Sequence, residues 1–563
     1  MLGVVLFASS CQDDISTTNT NIDYRLAVGL PIGEATFGIA NLLEKVYSGD
    51  NLEQEGDHYN FVMDSEGEFS FRDIKLLKEG VTVSAGEDFD FPAEVSSLPS
   101  NYSGPSIPFK VESSTFIEFP NISTTGNQEK IDSAAIEKST LFIRLNKPDG
   151  AKIKVNSFKI KFPIKDYETR EPIVLETSSV ENDLFGTDCY FDINDFFVVI
   201  EKNPDPTKKV GGFTFDVEID AVFEGGTINS GDKIGYDVTY TIFDHKVVYG
   251  TFTADANLAK TRAAMSFNLL RDLNNGKSEG ALLFEEVRLF LTLKNYDIGV
   301  DLKATLDSMR GFRRDDTEAI PYKDRYRFAM FQNGTSKKYS LNAERPEVPF
   351  TGIPAQTVIK LDNDQGRLSD IFQPEFQPDM FDFFFAVDIS NATGSGFLTK
   401  DAKIECDIKL EVPVNLRSGS YYVYTDTIKG FNLGETDLTT YIDEAELGLM
   451  FTNGMPMCVD FSLCLHDSLG NIINSDLNKE LFEIESPERN NIGEVDGEPV
   501  VSENFRIPIS STILKQLQEA AYITYSAKVK TDDESTYFKD SDTFAVKLKL
   551  FAKGGYAGDI LGE

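Results

Sequence analysis

Three histidines are the side chains of this sequence best suited to acid–base or metal chemistry near neutral pH. They are His58, His245 and His466, and each falls in a different predicted structural unit, so we expect no shared catalytic or metal site. His466 lies two residues before Ser468 in one turn, where a serine–histidine dyad has poor geometry. The glycine-flanked serine elbow, the phosphate-binding loop and the zinc-protease helix motif do not occur. We therefore predict a protein that is not an enzyme, with no catalytic and no cofactor-binding residue.

One acidic segment resembles the start of a calcium loop. It reads Asp362-Asn363-Asp364-Gln365-Gly366, with Asp370 eight residues after Asp362. In such loops alternating oxygens wrap the ion, a glycine allows the bend, and a bidentate Glu closes the twelfth position. Here the twelfth position is Gln373, and Gly366 occupies a ligand position. We therefore favour a polar loop that precedes a helix near Leu368, and we predict no metal site.

The cysteines after residue 11 do not form a recognisable metal or redox motif. Cys189, Cys406, Cys458 and Cys464 show no CxxC spacing. Cys458 and Cys464 belong to one predicted strand, which places them about 20 Å apart, beyond the reach of a disulfide. We predict buried free thiols.

The net charge excludes two classes of partner. Asp and Glu number 92 against 54 Lys and Arg, which gives a formal net charge of −38. Nucleic acids and anionic lipid head groups would both repel such a chain. The acidity favours solubility outside the cell. The chain also has no Trp, which weakens a glycan-binding hypothesis without removing it, because Tyr and Phe also stack on sugars.

A pattern of alternating apolar and polar residues recurs three times. The copies begin at Ile136, Phe284 and Ile442, keep their apolar positions in register and end in turns rich in Asn, Gly and Pro. A second alternating strand follows each turn. The second and third copies continue with a short helix, another strand and a closing strand, in the same order. The predicted helices are 368–372 and 513–517, and the predicted closing strands are 213–223, 404–412 and 544–552.

These patterns predict a mainly β fold, with tandem immunoglobulin-like β-sandwich units and a few short helices. A chain of 563 residues is too long for one core. We divide it into a signal and tether (1–22), an N-terminal β-rich domain (23–108), and three β-sandwich repeats (109–232, 233–414 and 415–563). Residues 98–108, rich in Pro and Ser, are predicted to be the first linker.

The first residues carry a resemblance to a known class. Met1 to Ser10 is apolar and ends in small residues before Cys11, and Gln12-Asp13-Asp14 follows. This start resembles a bacterial lipoprotein signal with Cys11 as the acylated residue, and acidic residues after the Cys resemble the surface-export signal of Bacteroidetes lipoproteins. No other window reaches the ~20 apolar residues needed to span a bilayer. The chain therefore resembles uncharacterised Bacteroidetes surface-exposed lipoproteins with tandem β-sandwich repeats.

Four short triplets also resemble the Asp-Ser/Thr-aliphatic acceptor of Bacteroidetes O-glycosylation, which agrees with export. They are Asp132-Ser133-Ala134, Asp307-Ser308-Met309, Asp426-Thr427-Ile428 and Asp467-Ser468-Leu469.

The resemblance implies a protein held on the outer membrane by its lipid and exposed at the cell surface. Our first hypothesis is a non-enzymatic, elongated protein-interaction module, as an accessory of an outer-membrane complex. The alternative is a glycan-binding lipoprotein of a nutrient-uptake system, which exposed Tyr or Phe clusters would support. A third hypothesis is an enzyme with two close carboxyl groups in one pocket. The sequence does not identify the partner or ligand.

The anchor gives the first testable prediction. Changing Cys11 to Ser removes the thiol that carries the lipid, so the protein should move from the membrane fraction to the soluble fraction of the cell. The measurement is fractionation followed by immunoblotting, with Cys189→Ser as the control. A Cys11→Ser protein that stays with the membrane would refute the anchor.

Overall fold

The computed structural model describes most of the chain. The described residues are 26–46, 52–70, 81–123, 130–166, 172–177, 185–186, 188–208, 210–252, 259–267, 270–271, 273, 279–314, 325–332, 334–389, 395–428, 442, 444–473 and 476–554. Cys11 and the predicted signal and tether lie outside these ranges.

Strands make up most of the described chain, as the alternating sequence pattern predicts. In chain order the strands are β1 (Leu26–Gly38), β2 (Leu52–Glu55), β3 (His58–Ser70), β4 (Val81–Asp90), β5 (Ile107–Ser123), β6 (Lys130–Asn146), β7 (Ala151–Asp166), β8 (Pro172–Thr177), β9 (Asp188–Val199), β10 (Glu201–Lys202), β11 (Val210–Gly226), β12 (Lys233–Thr251), β13 (Ala259–Ser266), β14 (Gly280–Ala281), β15 (Arg288–Ile298), β16 (Leu302–Phe312), β17 (Tyr326–Phe328), β18 (Met330–Phe331), β19 (Tyr339–Ala343), β20 (Ala355–Leu361), β21 (Gly366–Arg367), β22 (Met380–Ile389), β23 (Ser395–Pro413), β24 (Asn415–Leu416), β25 (Tyr421–Thr427), β26 (Glu444–Asn453), β27 (Cys458–His466), β28 (Phe482–Ile484), β29 (Val500–Ile509), β30 (Tyr522–Lys530), β31 (Thr536–Tyr537) and β32 (Thr543–Gly554). The helices are α1 (Ile39–Val46), α2 (Ala93–Ser96) and α3 (Ser511–Glu519), with 3-10 turns at Ser369–Ile371 and Asp476–Lys479.

The strands form three sandwiches, and we call the two layers of each sandwich its A sheet and its B sheet. β9 also pairs with β7, and β12 with β23, so both layers of the first sandwich and the A layer of the second are joined in one 14-stranded sheet. In pairing order the A sheets are β4-β12-β6-β9, β3-β23-β15-β20 and β1-β32-β26-β29 for the first, second and third sandwich. The B sheets are β5-β11-β7-β8, β13-β22-β16-β19 and β25-β30-β27-β28. The prediction of a mainly β sandwich fold is confirmed.

Aromatic side chains join the A sheet to the B sheet inside each sandwich. Ring centroids lie 5.8 Å apart for Phe213 and Tyr240 in the first sandwich, and 5.1 Å apart for Phe451 and Phe461 in the third. Such pairs add about 0.5–1.5 kcal/mol beyond the area that they bury. One cluster of buried apolar residues continues through all three sandwiches.

The three matched stretches of sequence occupy the same position in the three A sheets, as β6, β15 and β26. The strand order differs from the immunoglobulin arrangement in one respect. In an immunoglobulin domain the first strand belongs to the sheet that contains the second strand, and the last strand belongs to the sheet that contains the third strand. In the third sandwich these two strands exchange sheets: the first strand, β25, pairs with β30 in the B sheet, and the last strand, β32, pairs with β26 in the A sheet.

Among the described residues between 26 and 90, β2 pairs with β3, but the strands form no sheet separate from the three sandwiches, in contrast to the predicted N-terminal domain 23–108. β1 pairs with β32 in the third sandwich, β3 with β23 in the second, and β4 with β12 in the first. Each of these strands completes the edge of an A sheet. Local periodicity predicts such strands but does not show where they pair, because it carries no information about distant partners.

The predicted boundary at 232/233 also differs from the strand pairing. The predicted boundary places β12 in the second repeat. In the structure β12 pairs with β6 from Gly235 to Thr251 and is the closing strand of the first A sheet. The predicted closing strand 213–223 is β11, which lies in the B sheet. Both strands alternate in the same way, so the sequence pattern alone could not tell them apart. The other boundaries remain predictions.

The predicted linker 98–108 connects two strands of one sandwich rather than two domains. It joins β4 to β5, and Tyr102 exchanges backbone hydrogen bonds with Gly226 at 3.0 and 2.9 Å. The ring of Tyr102 stacks on Phe223 with 6.0 Å between centroids. The segment is therefore part of the end of the first sandwich.

A buried asparagine ends the matched strand in the second and third sandwiches. The Asn295 amide donates to the carbonyls of Ile298 and Glu344, both at 3.0 Å, and the Asn453 amide donates to Met457 and Glu485, both at 2.8 Å. Each side chain thus ties the turn to the segment after the B-sheet edge strand. The Asn of the first copy, Asn146, instead donates to the Asp237 carboxylate at an exposed site.

The shared edge strands generate a second prediction. Phe61 of β3 is 1% exposed and packs 5.1 Å from the Phe267 ring and 6.1 Å from the Phe284 ring in the second sandwich. Phe61→Ala should therefore lower the free energy of unfolding of the second sandwich by about 3–5 kcal/mol. Urea unfolding monitored by hydrogen exchange of β23 amides measures this. Val358→Ala, at an exposed site, is the control and should change stability by less than about 0.5 kcal/mol. Unchanged β23 protection in Phe61→Ala would contradict the shared core.

Candidate functional site

The strongest candidate for a binding site is an exposed apolar edge of the second sandwich. Strand β20 and the loop before it expose Val348, Phe350, Ile353 and Val358, with exposed fractions of 57%, 48%, 76% and 65%. We call these four residues and the β20 backbone the docking edge. Apolar side chains grouped in this way, rather than scattered singly, mark interaction sites.

The loop of the docking edge is held in an unusual backbone conformation. Phe350 has φ of 63° and Asp297 has φ of 60°, both in the left-handed region that bulky residues avoid. The Asp297 carboxylate accepts a hydrogen bond of 2.8 Å from the Phe350 amide, which fixes the loop beside the end of β15. Left-handed backbone at a Phe costs about 1–3 kcal/mol and tends to occur at functional sites.

The β20 backbone offers an open edge. Within the described part of the chain, β20 pairs with no strand other than β15. The equivalent edge strands contain groups that discourage pairing: β29 carries Arg506 and Pro508, and β9 carries three aspartates. β20 has the sequence AQTVIKL, with Lys360 as its one charge. It is therefore the least protected of the three equivalent edges.

A second exposed surface lies on the outer face of the first A sheet. Tyr190, 68% exposed, sits across from Phe142 on the neighbouring strand, with 5.1 Å between ring centroids. Thr239 and Ser84 continue the same row across β12 and β4, with their hydroxyl oxygens 3.1 Å apart. We call this row of four residues the aromatic face. Rings beside hydroxyl groups on a flat sheet suit stacking against a sugar.

A cavity of about 320 Å³ bears on the carboxylate-enzyme hypothesis. It is lined by Glu66, Gly67, Lys294, Glu405 and Asp407. Lys294 lies 2.6 Å from the Asp407 carboxylate, and this hydrogen bond raises the pKa of the lysine. The hydrogen bond from Lys403 lowers the pKa of Glu405. A glycosidase acid needs a raised pKa, and Glu405, in an ion pair of 2.5 Å with Lys403, has a lowered one.

Another carboxylate that sequence reasoning did not single out is fully buried in the second B sheet. One Asp382 oxygen accepts from Arg262 at 2.7 Å, and the other accepts from Arg310 at 2.8 Å. The Arg310 guanidinium also lies 4.1 Å from the Tyr326 ring centroid. Both oxygens are used in charge-assisted bonds, so the cluster stabilises the fold.

A titratable cluster lies where the second sandwich meets the third. His58 of β3 lies 2.8 Å from the Glu494 carboxylate, and its ring stacks on Tyr537 with 4.0 Å between centroids. Burial opposes ionisation of Glu494, but hydrogen bonds from Asn490, Lys539 and His58 keep its pKa lowered. Nearby Asp542 is 4% exposed, and burial raises its pKa to about 6.

The three histidines have separate surroundings in the structure. His58 contacts the third sandwich, His245 lies in β12, and His466 lies in β27. The His466 ring nitrogens face the Gly470 carbonyl at 3.3 Å and the Thr524 hydroxyl at 2.9 Å rather than Ser468. The Asp467 carboxylate accepts from the Leu469 and Asn471 amides, so this segment is a hydrogen-bonded turn.

The calcium-like segment also uses its polar groups within the fold. The Asp362 carboxylate accepts from the Asp364 amide at 3.0 Å, Asn363 donates to the Glu285 carbonyl at 2.7 Å, and Gly366 pairs with Phe331 in the β18–β21 sheet. The segment is a turn before the 3-10 turn Ser369–Ile371 rather than before an α-helix. Among the described residues, no three His, Cys, Asp or Glu side chains gather as a metal site would require.

Cys189, Cys406, Cys458 and Cys464 are free thiols. Cys406 is buried, which raises its pKa to about 12, and the other three are half-buried. Among the predicted glycosylation triplets, Thr427 and Ser468 are exposed, whereas Ser133 and Ser308 are half-buried within strands. None of the described helices is long and apolar enough to cross a membrane.

Comparisons with known proteins give weak likenesses. No family model matches the chain, and no curated protein matches it. Among solved structures it is similar to a protein described as secreted from the Bacteroidetes species Parabacteroides distasonis, with 15% identity, a TM-score of 0.33, and coverage of 55% of this chain and 89% of that chain. It is also similar to empty particles of cowpea mosaic virus (13% identity, TM-score 0.14, 54% and 92% covered) and to infectious bursal disease virus, Gx strain (10%, 0.12, 90% and 82%). At such TM-scores the likenesses carry no argument about function.

The junction cluster generates a prediction on pH dependence. The pKa of Asp542 rises from an ordinary 3.8 to about 6 on folding, so the folded protein binds this proton more tightly than the unfolded chain. The resulting stabilisation is fully present below pH 3.8 and is lost as the pH rises through 6. Asp542→Asn should therefore gain stability relative to wild type between pH 4 and pH 7, by at most about 3 kcal/mol.

Urea unfolding at each pH measures the difference between the two proteins. Lys539, Glu494 and His58 face the same site and are present in both, so the comparison isolates Asp542. Asp533→Asn, at an exposed carboxylate, is the control. A wild-type-to-variant difference that does not change with pH would contradict the burial of an ionisable Asp542.

Proposed function

We propose that this protein is a non-enzymatic surface lipoprotein that binds another protein through the docking edge. The observation that carries the proposal is the side of β20 that faces away from β15, which pairs with no strand in the described part of the chain and lies beside four exposed apolar side chains. The resemblance of the Cys11 segment to lipoprotein signals supports placement on the outer membrane. The expected partner is an outer-membrane protein with an extended segment outside the bilayer.

The docking edge suits a partner that binds as an added strand. In this mode the backbone hydrogen bonds supply affinity, and alternate side chains supply specificity. A strand beside β20 would meet Val358 on the exposed face and Ile353 at the end of the loop. Because Asp297 already fixes the loop, less conformational entropy is lost on binding.

The aromatic face supports a second candidate, glycan binding. Tyr190 is the most exposed aromatic side chain among the large apolar residues of the described chain, and Phe142 lies beside it. Arg144 and Asp188 form an ion pair of 2.6 Å in the adjacent row, which places further hydrogen-bonding groups at the same surface. A polysaccharide is the expected ligand class.

The prediction for the first function concerns a double variant of the docking edge. Ile353→Lys with Val358→Lys puts two charges on the surface that a partner strand would cover, so recovery of the partner should fall at least tenfold, about 1.4 kcal/mol of affinity. The measurement is a mild-detergent pull-down from native membranes followed by mass spectrometry. Val501→Lys, on the equivalent strand β29 and 53% exposed, is the matched control.

The two candidate functions serve as controls for each other. Tyr190→Ala should leave the pull-down unchanged and abolish binding to any polysaccharide that the wild type retains on a panel. Equal recovery with the double variant and wild type, or recovery of this protein alone, would refute docking at β20. Failure of the wild type to bind any polysaccharide would remove the glycan candidate.

A further inference from the structure

The N-terminal segment visits the three sandwiches in the reverse of their order in the chain. β1 lies in the third sandwich, β3 in the second and β4 in the first, whereas the later strands build the first sandwich before the second and third. The direction of each edge strand shows how the sandwiches follow one another.

β1 ends at the junction between the third and second sandwiches. Its last residue, Gly38, pairs with Thr543, and α1 follows immediately. Ile39 and Leu43 of α1 line an apolar cavity together with Phe61 and Phe284 of the second sandwich. Leu26 lies at the other end of this strand of 13 residues, about 40 Å from Gly38, and pairs with Gly554. Leu26 therefore lies at the end of the third sandwich that points away from the second.

β3 shows that the second sandwich lies in the middle. At one end of the strand, His58 contacts Glu494 and Tyr537 of the third sandwich. At the other end, Ser70 pairs with Lys403, close to the point where Thr399 of β23 pairs with Val247 of the first sandwich. The two junctions are thus at opposite ends of a strand of 13 residues, about 40 Å long.

β4 completes the path. It starts at Val81, which pairs with Ile242 on the side of the second sandwich, and it ends at Asp90, which pairs with Lys233 at the far end of β12. The segment from Leu26 to Asp90 therefore runs from the free end of the third sandwich to the free end of the first.

We infer that the third sandwich lies next to the membrane and that the free end of the first sandwich is the part presented outward. The inference depends on the proposed anchor at Cys11. Only residues 12–25 separate Cys11 from Leu26, and covalent geometry limits that distance to roughly 50 Å. The path from Leu26 to Asp90 covers the lengths of β1, β3 and β4. The first sandwich therefore lies farthest from the anchor.

The outward end consists of three connected loops. They are residues 97–106, 147–150 and 227–232, joined by the Tyr102–Gly226 pair and by the Thr227 amide, which donates to the Gly150 carbonyl at 3.1 Å. The loops are rich in Ser, Gly, Asn and Thr, with Tyr102 among them. This composition suits adaptable hydrogen bonding to a partner outside the cell, as in antibody loops.

The docking edge, in the middle sandwich, takes a different place in this arrangement. It lies at intermediate height above the membrane, within reach of the extracellular part of a neighbour in the same membrane. The two surfaces therefore face different classes of protein partner: β20 a membrane neighbour, and the first sandwich an external one.

Energy transfer from the protein to a membrane dye tests the order of the sandwiches. Lipidated protein is reconstituted into phosphatidylethanolamine–phosphatidylglycerol vesicles that carry an acceptor dye on their head groups. Donor dyes are attached to Ser230→Cys, at the outward loops, or to Ser511→Cys, at the start of α3 beside the free end of the third sandwich. The background carries Cys189→Ser, Cys458→Ser and Cys464→Ser, and circular dichroism checks that it is folded.

We expect efficient transfer from position 511 and at least fivefold weaker transfer from position 230. The reverse order, or equal transfer from both positions, would overturn the inference while leaving the anchor intact. Flotation of the vesicles separates the two failures: wild-type protein that does not float with them refutes the anchor itself, and the orientation with it. The Cys11→Ser protein is the matched control, and it should neither float nor transfer energy.

Discussion

The fold depends on an open sheet edge that recurs three times. In each sandwich the closing strand β12, β23 or β32 has one neighbour from its own part of the chain and would leave most of its other side unpaired, since β12 and β23 meet only from Val247 to Thr251. Buried backbone groups without partners are costly, and an uncovered edge invites pairing with other chains. β4, β3 and β1 fill these edges, and they also contribute core side chains such as Val83, Phe61 and Phe37. The three cores are therefore completed by one continuous segment.

Differences between the equivalent strands indicate where function lies. The second and third sandwiches share a buried Asn at the end of the matched strand, and both use it to tie the same two segments together. Such shared bonds explain the fold rather than the function. The free edge differs: one of the equivalent strands contains Pro508 and another contains three aspartates, whereas β20 contains no Pro and a single charge, Lys360.

The sequence predicted local structure well because period-two alternation and turn residues are local signals. The helix near Ile513 and the strands that follow each Asn turn lie where the pattern placed them. The sequence pattern does not predict pairing between strands that are far apart in the chain: nothing in the residues around Phe37 shows that they lie beside Phe544. The docking edge was also missed, because Val348 and Ile353 look like core residues until their exposure is known. The positive φ of Phe350 has no sequence signal at all, since Phe rarely adopts it.

The pairing of β1 with β32 also determines when the molecule becomes complete. Leu26 leaves the ribosome long before Gly554, its pairing partner, so the third sandwich acquires its final strand only after β32 has been made. Until then β1 has no native partner. In the same way β3 can join its A sheet only after β23 has been made, and β4 only after β12. Contacts between such distant residues form slowly, and unpaired apolar strands aggregate readily. A chain built in this way is therefore exposed to aggregation until β32 has been made.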